Sequence, residues 1–430
     1  MKPALARAAY TGLLRLATPI YLARLWWRGR REPGYREAIG ERLGRGAAHA
    51  QPAALWVHAV SLGETRAAAP LVDALRAAQP GLRLLLTHGT ATGRAAGKAL
   101  LHAGDHQAWL PYDTPGAVRR FLQRHRPAMG VLMETEVWPN LLHEARRAGL
   151  PMVLANARLS ERSAAKGRRL GALLHPAGQS LALALAQSEA DARRLRAAGV
   201  PRVEVCGNLK YDLRPDAGQL AQGRAWRALA GRPVVVAAST REGEEAALLD
   251  AWLGLPQPRP LLLIVPRHPQ RFGEVAGLVD ARGLALKRRS AWGEAGPLPA
   301  DAAADVWLGD TVGEMALYFG LADLGLQGGS FAPLGSHNFI EAAACGCPML
   351  LGPSVFNFAE AAQQALAAGA AWQVASWPDA LARMQALLAD PAAREVAVQA
   401  ALALSAPHRG AAARMAGRIL GLLATRRPTA

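Results

Sequence analysis

The stretch GGSFAPLGSHNFIEAAACGCP, residues 328–348, lies between a short apolar segment and a run of small residues suited to a helix. This order of strand, glycine turn, loop and helix predicts an anion site. Free backbone N–H groups and the positive end of the helix dipole converge there, and glycine lets a phosphate approach the main chain. Asn338 suits the N-cap position and Glu341 follows three residues later, which indicates a capping box. Glu341 could serve only that box, or its carboxylate could accept hydrogen bonds from ribose hydroxyls.

Apolar segments alternate with amphipathic segments along nearly the whole chain. Strands are predicted, among others, at residues 55–60, 128–133 and 261–265, and helices at residues 64–78 and 161–174. Regular alternation of this kind predicts parallel sheets covered by helices on both faces. The fold class is therefore α/β, with doubly wound sheets.

One turn-rich segment, residues 207–218, interrupts the alternation and is interpreted as a linker. It separates two predicted Rossmann-like domains, residues 46–206 and 219–430, which would face each other across a cleft. The last helix, at residues 411–424, could cross back to the first domain. Ligands of open parallel sheets bind beyond the carboxyl ends of the strands, so we expect the functional residues at these edges.

Composition and net charge limit the partners and the cellular environment that this protein can have. The chain has 430 residues, 51% of them hydrophobic, a formal charge of +17 and a pI near 10.9. The charge favours an anionic partner such as nucleic acid, phospholipid or a phosphorylated substrate, although drift toward an arginine-rich composition would also produce it. Cys206, Cys345 and Cys347 offer neither a disulfide framework nor the spacing of a zinc site, which favours a reducing cytosolic environment without a structural metal.

Residues 1–45 form a predicted membrane-associating segment with an apolar, aromatic middle and basic ends. Arg15 and Arg24 interrupt the apolar run, which argues against a signal peptide and makes full insertion costly. We favour an interfacial anchor with Trp26 and Trp27 at the level of the lipid headgroups. A single-pass anchor and an ordinary amphipathic helix packed on the first domain remain alternatives.

Carboxylates follow two of the predicted strands in the first domain. Glu64 lies three residues after Ser61, so it could close a capping box, or it could take a proton from an attacking hydroxyl at the mouth of the cleft. Glu134 and Glu136 lie two residues apart at a strand end, where packing needs neither of them, and we favour Glu134 as the site residue. His58, a lone histidine in a strand, is interpreted as structural.

Cationic residues lie in the linker and at strand ends of the second domain. Lys210 could be a solvated charge, or it could neutralise a phosphate leaving group. Arg267 and His268 form a pair suited to phosphate or carboxylate, with a solvated loop as the alternative. The segment Gly313-Glu314-Met315 opens a predicted helix, and its backbone could line a base pocket.

Taken in order, the motifs resemble the 3-deoxy-D-manno-octulosonic acid (Kdo) transferases of lipopolysaccharide synthesis, which are inverting glycosyltransferases of the GT-B type. The resemblance covers nearly the whole chain, and several ordered motifs are far more specific than any single one. The helix start containing Glu-Ala-Ala, by contrast, also occurs in other GT-B enzymes. The motifs are YLARLWWRGR, WVHAVSLGE, METEVWPN, GNLKYD, AASTREGEE, PRHPQRF, GEM and the stretch 328–348.

The resemblance implies roles for individual residues. Glu64 corresponds to the family's general base, and Glu134 and Lys210 fall on positions that shape and stabilise the transition state. Ser61 and Gly63 would lie on the acceptor side. The segments that match those holding the CMP part of CMP-Kdo comprise Arg267, His268, Gly313, Glu314, Met315, Asn338, Phe339, Ile340 and Glu341.

The implied reaction moves Kdo from CMP-Kdo, a co-substrate, to a lipid A precursor (lipid IVA), with neither a cofactor nor a metal. The first domain would bind the acceptor and the second the CMP-sugar. The resemblance implies a location on the cytoplasmic side of the inner membrane, with its anionic surface as a partner. Basic residues of the first domain could face that surface or lipid A phosphates, or could form a solvated face: Arg119, Arg120, Arg124, Arg158, Arg162, Lys166, Arg168 and Arg169.

Other classes of protein compete with this interpretation. Another GT-B transferase or a GT-B-like sugar epimerase would share the fold and the central stretch. A nicotinamide oxidoreductase is disfavoured because no strand leads into a G-x-G-x-x-G motif followed by an acidic residue. Nucleic-acid binding is disfavoured because basic clusters interleaved with aromatic residues are missing. A non-catalytic membrane scaffold would tolerate the loss of the Glu64 carboxylate.

Overall fold

A computed structural model describes residues 2–46, 54–212 and 214–425, which form two compact units. Unit 1 takes the chain up to Asp212 together with the segment from Gly410 onward, and unit 2 ends at Arg409. The predicted start of the first domain, at residue 46, adjoins residues 47–53, which lie outside the described residues. Leu213 of the predicted linker also lies outside them.

Unit 1 contains a seven-stranded, all-parallel sheet of strand order β3-β2-β1-β4-β5-β6-β7. Strand β1 lies between β2 and β4, with Leu55 opposite both Leu84 and Met129. The strand order therefore reverses beside β1. Sheets of this kind bind ligands at such a reversal, beyond the carboxyl ends of the strands. The strands are β1 Leu55–His58, β2 Leu84–His88, β3 His106–Trp109, β4 Met129–Met133, β5 Met152–Ala157, β6 Leu183–Ala186 and β7 Val203–Val205.

Helices cover both faces of this sheet and bury its apolar side chains in two cores. The single helix predicted at residues 161–174 is wrong, because Leu170 separates two helices. The first of these two buries no side chain, whereas the second packs against α5 and α1 and buries Ala177 and Gly178. The helices are α1 Pro3–Arg28, α2 Leu62–Ala78, α3 Ala91–Gly97, α4 Pro115–His125, α5 Pro139–Arg147, α6 Glu161–Arg169, α7 Gly171–Gln179 and α8 Glu189–Ala197.

Helix α1 is hydrogen-bonded to the rest of unit 1 in its N-terminal half, and it exposes apolar residues in its middle and at its C-terminal end. The Tyr10 hydroxyl donates to Asp113 Oδ2 at 2.9 Å, and the Asp113 carboxylate also accepts the backbone N–H of Leu141 at the start of α5. Leu16 is 77% exposed and Trp27 is 71% exposed. The helix thus packs on the first domain and also presents apolar side chains to its surroundings. Among the residues that the structure describes, no helix combines the length and the apolar character needed to cross a bilayer.

Unit 2 repeats the architecture with a second seven-stranded parallel sheet, of order β10-β11-β9-β8-β12-β13-β14. Strand β8 lies between β9 and β12, so the strand order reverses beside β8. The predicted fold class, α/β with two doubly wound Rossmann-like sheets as in the GT-B type, is confirmed. The strands are β8 Val234–Thr240, β9 Leu261–Pro266, β10 Leu286–Arg288, β11 Val306–Leu308, β12 Leu324–Gln327, β13 Met349–Leu351 and β14 Ala371–Gln373.

The helices of unit 2 enclose its core, which includes Leu248, Trp252 and Met384. They are α9 Ala217–Leu229, α10 Glu244–Leu253, α11 Phe272–Asp280, α12 Pro299–Ala302, α13 Met315–Leu321, α14 Ile340–Ala344, α15 Ala359–Ala367, α16 Trp377–Ala389 and α17 Pro391–Ser405.

The last helix, α18 (Ala411–Ala424), belongs to unit 1 and packs on α2. Met415 and Ile419 are fully buried in the same core as Leu71 and Leu75. The Asp212 carboxylate caps the start of α18 by accepting the N–H groups of Gly410 and Ala412 at 2.5 and 2.7 Å. The first core is therefore completed by residues that follow the whole of unit 2 in the sequence.

Candidate active site

Glu64 lies at the beginning of α2, directly after β1. Ser61 is the N-cap of that helix, and its Oγ accepts the Glu64 N–H at 3.4 Å. Glu64 Oε2 reaches back to accept the Val60 N–H at 3.0 Å, whereas Oε1 has only the Ser61 hydroxyl, at 3.4 Å. The capping interpretation of Glu64 is therefore realised in the structure. It leaves one carboxylate oxygen weakly occupied, so the same side chain can also accept a proton.

Glu64 belongs to a group of charged residues that we call the carboxylate cluster: Glu64, Glu134, Glu136 and Lys210. Lys210 Nζ lies 2.8 Å from Glu134 Oε1, and Glu134 adopts a left-handed backbone conformation (φ 55°). Burial raises the pKa of Glu64, and the negative charge of Glu134 raises it further, while the Val60 N–H and the Lys210 charge lower it. The structure thus brings together the three residues expected to carry the chemistry.

Glu136 is a functional candidate that the sequence interpretation passed over in favour of Glu134. Burial raises its pKa to about 7, and the charges of Glu64 and Glu134 contribute to that increase. Lys210 is paired with Glu134, and Glu136 has a pKa close to neutral pH, so a substantial fraction of its carboxyl group carries a proton at pH 7. The pair of glutamates two residues apart was the signal in the sequence, but nothing in it indicated that both face Glu64.

Two buried histidines contact the ends of β1 and β2, next to the segment that leads into α2 and Glu64. His88 Nδ1 donates to the Ala59 carbonyl at 3.0 Å, and His58 Nδ1 lies 2.9 Å from the Thr87 hydroxyl. Burial lowers the pKa of His58 to about 3 and that of His88 to about 4. Both rings are neutral at pH 7 and hold the ends of β1 and β2 together. His58 is accordingly a core residue, as its solitary position suggested.

The depressed histidine pKa values predict a pH-dependent stability. The unfolded chain takes up protons on histidine near pH 6.5, whereas folded His88 does so only near pH 4. The unfolded state therefore binds more protons between these values, and the free energy of unfolding falls as the pH drops. We expect His88 to contribute a loss of about 2 kcal/mol between pH 7 and pH 5. Urea unfolding of wild type and His88→Gln at both pH values measures it.

The readout of this experiment is the pH slope, because His88→Gln is expected to lower stability at every pH. The variant should lose less stability than the wild type between pH 7 and pH 5. Glu136 and Asp113, whose pKa values burial raises to about 7 and about 6, favour the folded state as the pH falls, and they do so equally in both proteins. Identical slopes in the two proteins would contradict the assignment to His88.

In unit 2, Glu244 connects the loop after β8 with the glycine turn after β12. Its carboxylate accepts four backbone N–H groups, from Arg241 at 2.9 Å, Gly329 at 2.7 Å, Phe331 at 3.1 Å and Ala332 at 3.2 Å. Glu244 is buried, which raises its pKa, while the four donors lower it. The motif AASTREGEE contains this residue, yet no local signal reveals a partner more than 80 positions away.

The glycine turn itself fits tightly against β8. A Cβ on Gly328 would collide with the Ser239 carbonyl, and Gly329 has a φ of 71°. Only glycine meets both requirements without strain. The turn therefore keeps its backbone close to the carboxyl end of β8.

The capping box predicted from Asn338 and Glu341 is wrong. Helix α14 begins at Ile340, with Phe339 at the N-cap position, because the Asn338 Oδ1 atom accepts the Ile340 N–H at 3.1 Å and closes a separate turn. Phe339 and Ile340 are buried, which leaves their backbone as the part available to a ligand. With five residues, α14 has only a short backbone dipole.

Glu341 is consequently free of the capping role. Among the described residues its carboxylate has no hydrogen bond or ion pair, although the side chain is half-buried and burial raises its pKa. An unpartnered, half-buried carboxylate favours the other interpretation of this residue, in which it accepts hydrogen bonds from a ligand.

The remaining residues that were predicted to bind the CMP part of CMP-Kdo lie on two neighbouring loops. Arg267 and His268 follow β9, and the Arg267 backbone N–H donates to the Thr240 carbonyl at 3.0 Å. The Glu314 carboxylate lies 2.9 Å from Arg289 Nη2, so it is already paired. Gly313 accepts the Gln219 side-chain amide at 3.0 Å, and Met315 begins α13.

The described His, Cys, Asp and Glu side chains do not form a metal-binding group. Within residues 2–46, 54–212 and 214–425, no group of three or more His, Cys, Asp or Glu side chains is arranged to hold a metal ion. Cys206, Cys345 and Cys347 are buried free thiols.

The sequence of this chain is similar to a known family and to proteins of the same name. The family described as 3-deoxy-D-manno-octulosonic-acid transferase (kdotransferase) matches residues 37–213. The 3-deoxy-D-manno-octulosonic acid transferase of Bordetella pertussis is 49% identical over 425 residues, which covers 95% of this chain and 98% of that one. The enzyme of the same name from Haemophilus influenzae is 35% identical over 418 residues, covering 95% and 97%.

Solved structures show more distant likeness. The C-terminal CMP-Kdo binding domain of WaaA from Acinetobacter baumannii is 29% identical, covers 44% of this chain and 98% of its own, and gives a TM-score of 0.41. UDP-GlcNAc 2-epimerase from Neisseria meningitidis is 15% identical, covers 86% and 99%, and gives a TM-score of 0.49.

Two Rossmann-like units and end-to-end similarity to sugar transferases define the class of this protein: it is a glycosyltransferase. More particularly, the chain belongs to the 3-deoxy-D-manno-octulosonic acid transferase family. The resemblance drawn from the ordered motifs is thereby confirmed.

Proposed function

We propose that this protein transfers Kdo from CMP-Kdo to a lipid A precursor, lipid IVA, with inversion at the anomeric carbon and Glu64 as the general base. The observation that carries the proposal is the state of Glu64. Its half-buried carboxylate has a raised pKa, one weakly occupied oxygen and a neighbouring Glu134–Lys210 pair, in a member of the Kdo transferase family.

The proposed step balances as follows. The acceptor hydroxyl oxygen forms a bond to the anomeric carbon of Kdo while the bond from that carbon to the CMP phosphate oxygen breaks. The hydroxyl proton passes to Glu64, and CMP leaves with the electron pair of the broken bond. A raised pKa makes Glu64 a stronger base than an ordinary glutamate, which suits a weakly acidic sugar hydroxyl. Glu134 and Lys210 would set the electrostatic environment of that transfer.

In the same proposal, unit 2 binds the donor. Arg267 and His268 would bind the phosphate, Glu341 would accept hydrogen bonds from the ribose hydroxyls, and the backbone from Gly313 to Met315 would line the base. Negative charge develops on the departing CMP, and fixed cationic and N–H groups can stabilise it without reorganisation. No metal or cofactor is part of this mechanism.

The acceptor would bind on unit 1, beside the carboxylate cluster. Ser61 and Gly63 open helix α2 there, and a Cβ on Gly63 would meet only the Ser61 hydroxyl, at 3.9 Å. The lipid part of the acceptor requires access to a membrane. We therefore propose that the exposed apolar side chains of α1 lie in the interface on the cytoplasmic side of the inner membrane, where arginines meet anionic lipid.

The purified protein, given CMP-Kdo and a tetraacyl lipid A precursor, should produce a Kdo-bearing lipid that mass spectrometry detects. The same spectrum counts the Kdo residues added. A parallel reaction with UDP-N-acetylglucosamine tests the alternative of another nucleotide-sugar transferase or an epimerase. Turnover of the UDP-sugar with no reaction of CMP-Kdo would contradict the proposed function.

A further inference from the structure

Three neighbouring loops of unit 2 carry four cationic or imidazole side chains, which we call the basic quartet: Arg241, Arg267, His268 and His337. Arg241 follows β8, Arg267 and His268 follow β9, and His337 lies in the loop after β12. Strand β8 is hydrogen-bonded to both β9 and β12, so the three loops leave adjacent strand ends at the carboxyl edge of the sheet.

The quartet has no counter-charge of its own. In the part of unit 2 that the structure describes, none of these four side chains makes a salt bridge within 4.0 Å or a hydrogen bond to a carboxylate. Other arginines of this unit do, since Arg271 binds Glu245 and Arg289 binds Glu314. The carboxylate of Glu244, which accepts the Arg241 backbone N–H, is already occupied by four backbone donors. A site with this much uncompensated positive charge is suited to an anionic ligand.

The pKa of His337 shows that the other three side chains of the quartet lie near its ring. Burial, together with the charges of Arg267, Arg241 and His268, lowers the pKa of His337 to about 4. The ring is therefore neutral at pH 7 and can donate one hydrogen bond. Its Nε2 atom is buried, on the edge of the ring that faces Gly329, where an added Cβ would lie 3.2 Å away. Arg241 is fixed to the same turn, because Glu244 binds both its backbone N–H and that of Gly329.

The proposed donor presents two anions, not one. An octulosonic acid carries a carboxylate on its anomeric carbon, the same carbon that bears the phosphate ester. If Arg267 and His268 bind the singly charged phosphodiester, Arg241 and His337 are left for a second anion. Arg241 is also half-buried, whereas Arg267 is exposed, and a partly desolvated guanidinium binds a carboxylate more strongly.

We propose that Arg241, assisted by His337, binds the carboxylate of the transferred sugar acid, while Arg267 and His268 bind the phosphate. Arg241 is then the residue that selects a sugar acid over a neutral sugar. The inference rests on the proposed function, because it takes CMP-Kdo as the donor.

Equilibrium binding to the full chain, by calorimetry without acceptor, tests this assignment. Two ligands are compared: CMP, which has the phosphate alone, and CMP-Kdo, which has both anions. Arg241→Ala is expected to raise the Kd for CMP-Kdo about 10- to 100-fold and to leave the Kd for CMP within about twofold. Arg267→Ala should weaken both ligands. The matched control is Arg282→Ala, whose guanidinium pairs with Asp250 elsewhere on unit 2 and should change neither value.

Two further variants keep the test decisive. Arg241→Lys retains the charge but not the planar fork, so it should recover part of the CMP-Kdo affinity. His337→Gln retains a donor and should weaken CMP-Kdo less than Arg241→Ala does. Thermal unfolding of each variant shows whether it is folded.

The assignment is overturned if Arg241→Ala weakens CMP and CMP-Kdo equally, since Arg241 would then bind the phosphate. It is equally overturned if a folded Arg241→Ala binds both ligands as the wild type does. A different result marks failure of the proposed function itself: wild-type protein that binds CMP-Kdo no better than a UDP-sugar. In that case the inference falls with it.

Discussion

Glu64→Gln is expected to lower the rate of Kdo transfer by about 10²- to 10⁴-fold, the range that a positioned general base contributes. The amide cannot take the hydroxyl proton, but its oxygen can still accept the Val60 N–H that Glu64 Oε2 accepts at 3.0 Å. The cap of α2 therefore survives, and the free energy of unfolding should change by less than about 1 kcal/mol. Initial rates with CMP-Kdo and the lipid A precursor measure the first effect, and urea unfolding the second.

A matched control separates proton transfer from capping. Asp379 occupies the same place relative to Ser376 at the start of α16, with the Ser376 hydroxyl donating to Asp379 Oδ2 at 2.7 Å. Asp379→Asn changes the same kind of contact at a residue that has no part in the proposed chemistry, and it should leave the transfer rate unchanged. Binding of CMP by Glu64→Gln should equal that of the wild type. A Glu64→Gln enzyme that keeps more than a tenth of the wild-type rate would refute the general-base role.

Glu244→Gln is expected to have the second largest effect, on donor binding and on stability together. A carboxylate accepts the N–H groups of Arg241, Gly329, Phe331 and Ala332, and an amide offers one oxygen and turns an N–H toward the remaining donors. The loss should be about 2–4 kcal/mol in the free energy of unfolding, because hydrogen bonds to a charged, buried group are replaced by unsatisfied donors. The affinity for CMP should fall at least about tenfold, since the glycine turn loses its anchor.

Glu245→Gln is the control for this variant. Glu245 is the next residue, is completely buried and binds Arg271 at 2.7 Å, so its loss should also destabilise unit 2. It makes no contact with the glycine turn, however, and folded Glu245→Gln should bind CMP as the wild type does. Calorimetric titration with CMP at a temperature where both variants are folded distinguishes the two. Equal affinities in Glu244→Gln and Glu245→Gln would show that Glu244 does not shape the binding site.

The fold could be predicted from the sequence because each sheet is built from local signals. Strands such as β1 and β4 are short apolar runs, and the helices between them repeat with a regular spacing. The candidate site could be proposed for a related reason, since the carboxyl ends of parallel strands share an edge. Glu64 and Glu134 follow β1 and β4, the two strands between which the first sheet changes direction.

Contacts between residues far apart in the sequence could not be predicted. Glu244 lies 85 positions before Gly329, and no periodicity connects them. The position of Glu136 beside Glu64 depends in the same way on how two loops are folded. At Asn338 the sequence offered two equivalent local solutions, a helix cap and a side-chain turn, and the buried Phe339 side chain accompanies the second.

The return of α18 to unit 1 has a consequence for biosynthesis. Met415, Ile419 and Leu423 complete the core that α2 begins, yet they are translated about 350 residues after it. The nascent first unit therefore leaves the ribosome with an open apolar face, while unit 2, which is continuous in sequence, can close as it emerges. Deletion of the last twenty residues, which removes all of α18, would leave that face permanently uncovered and make the truncated chain a client of chaperones and proteases.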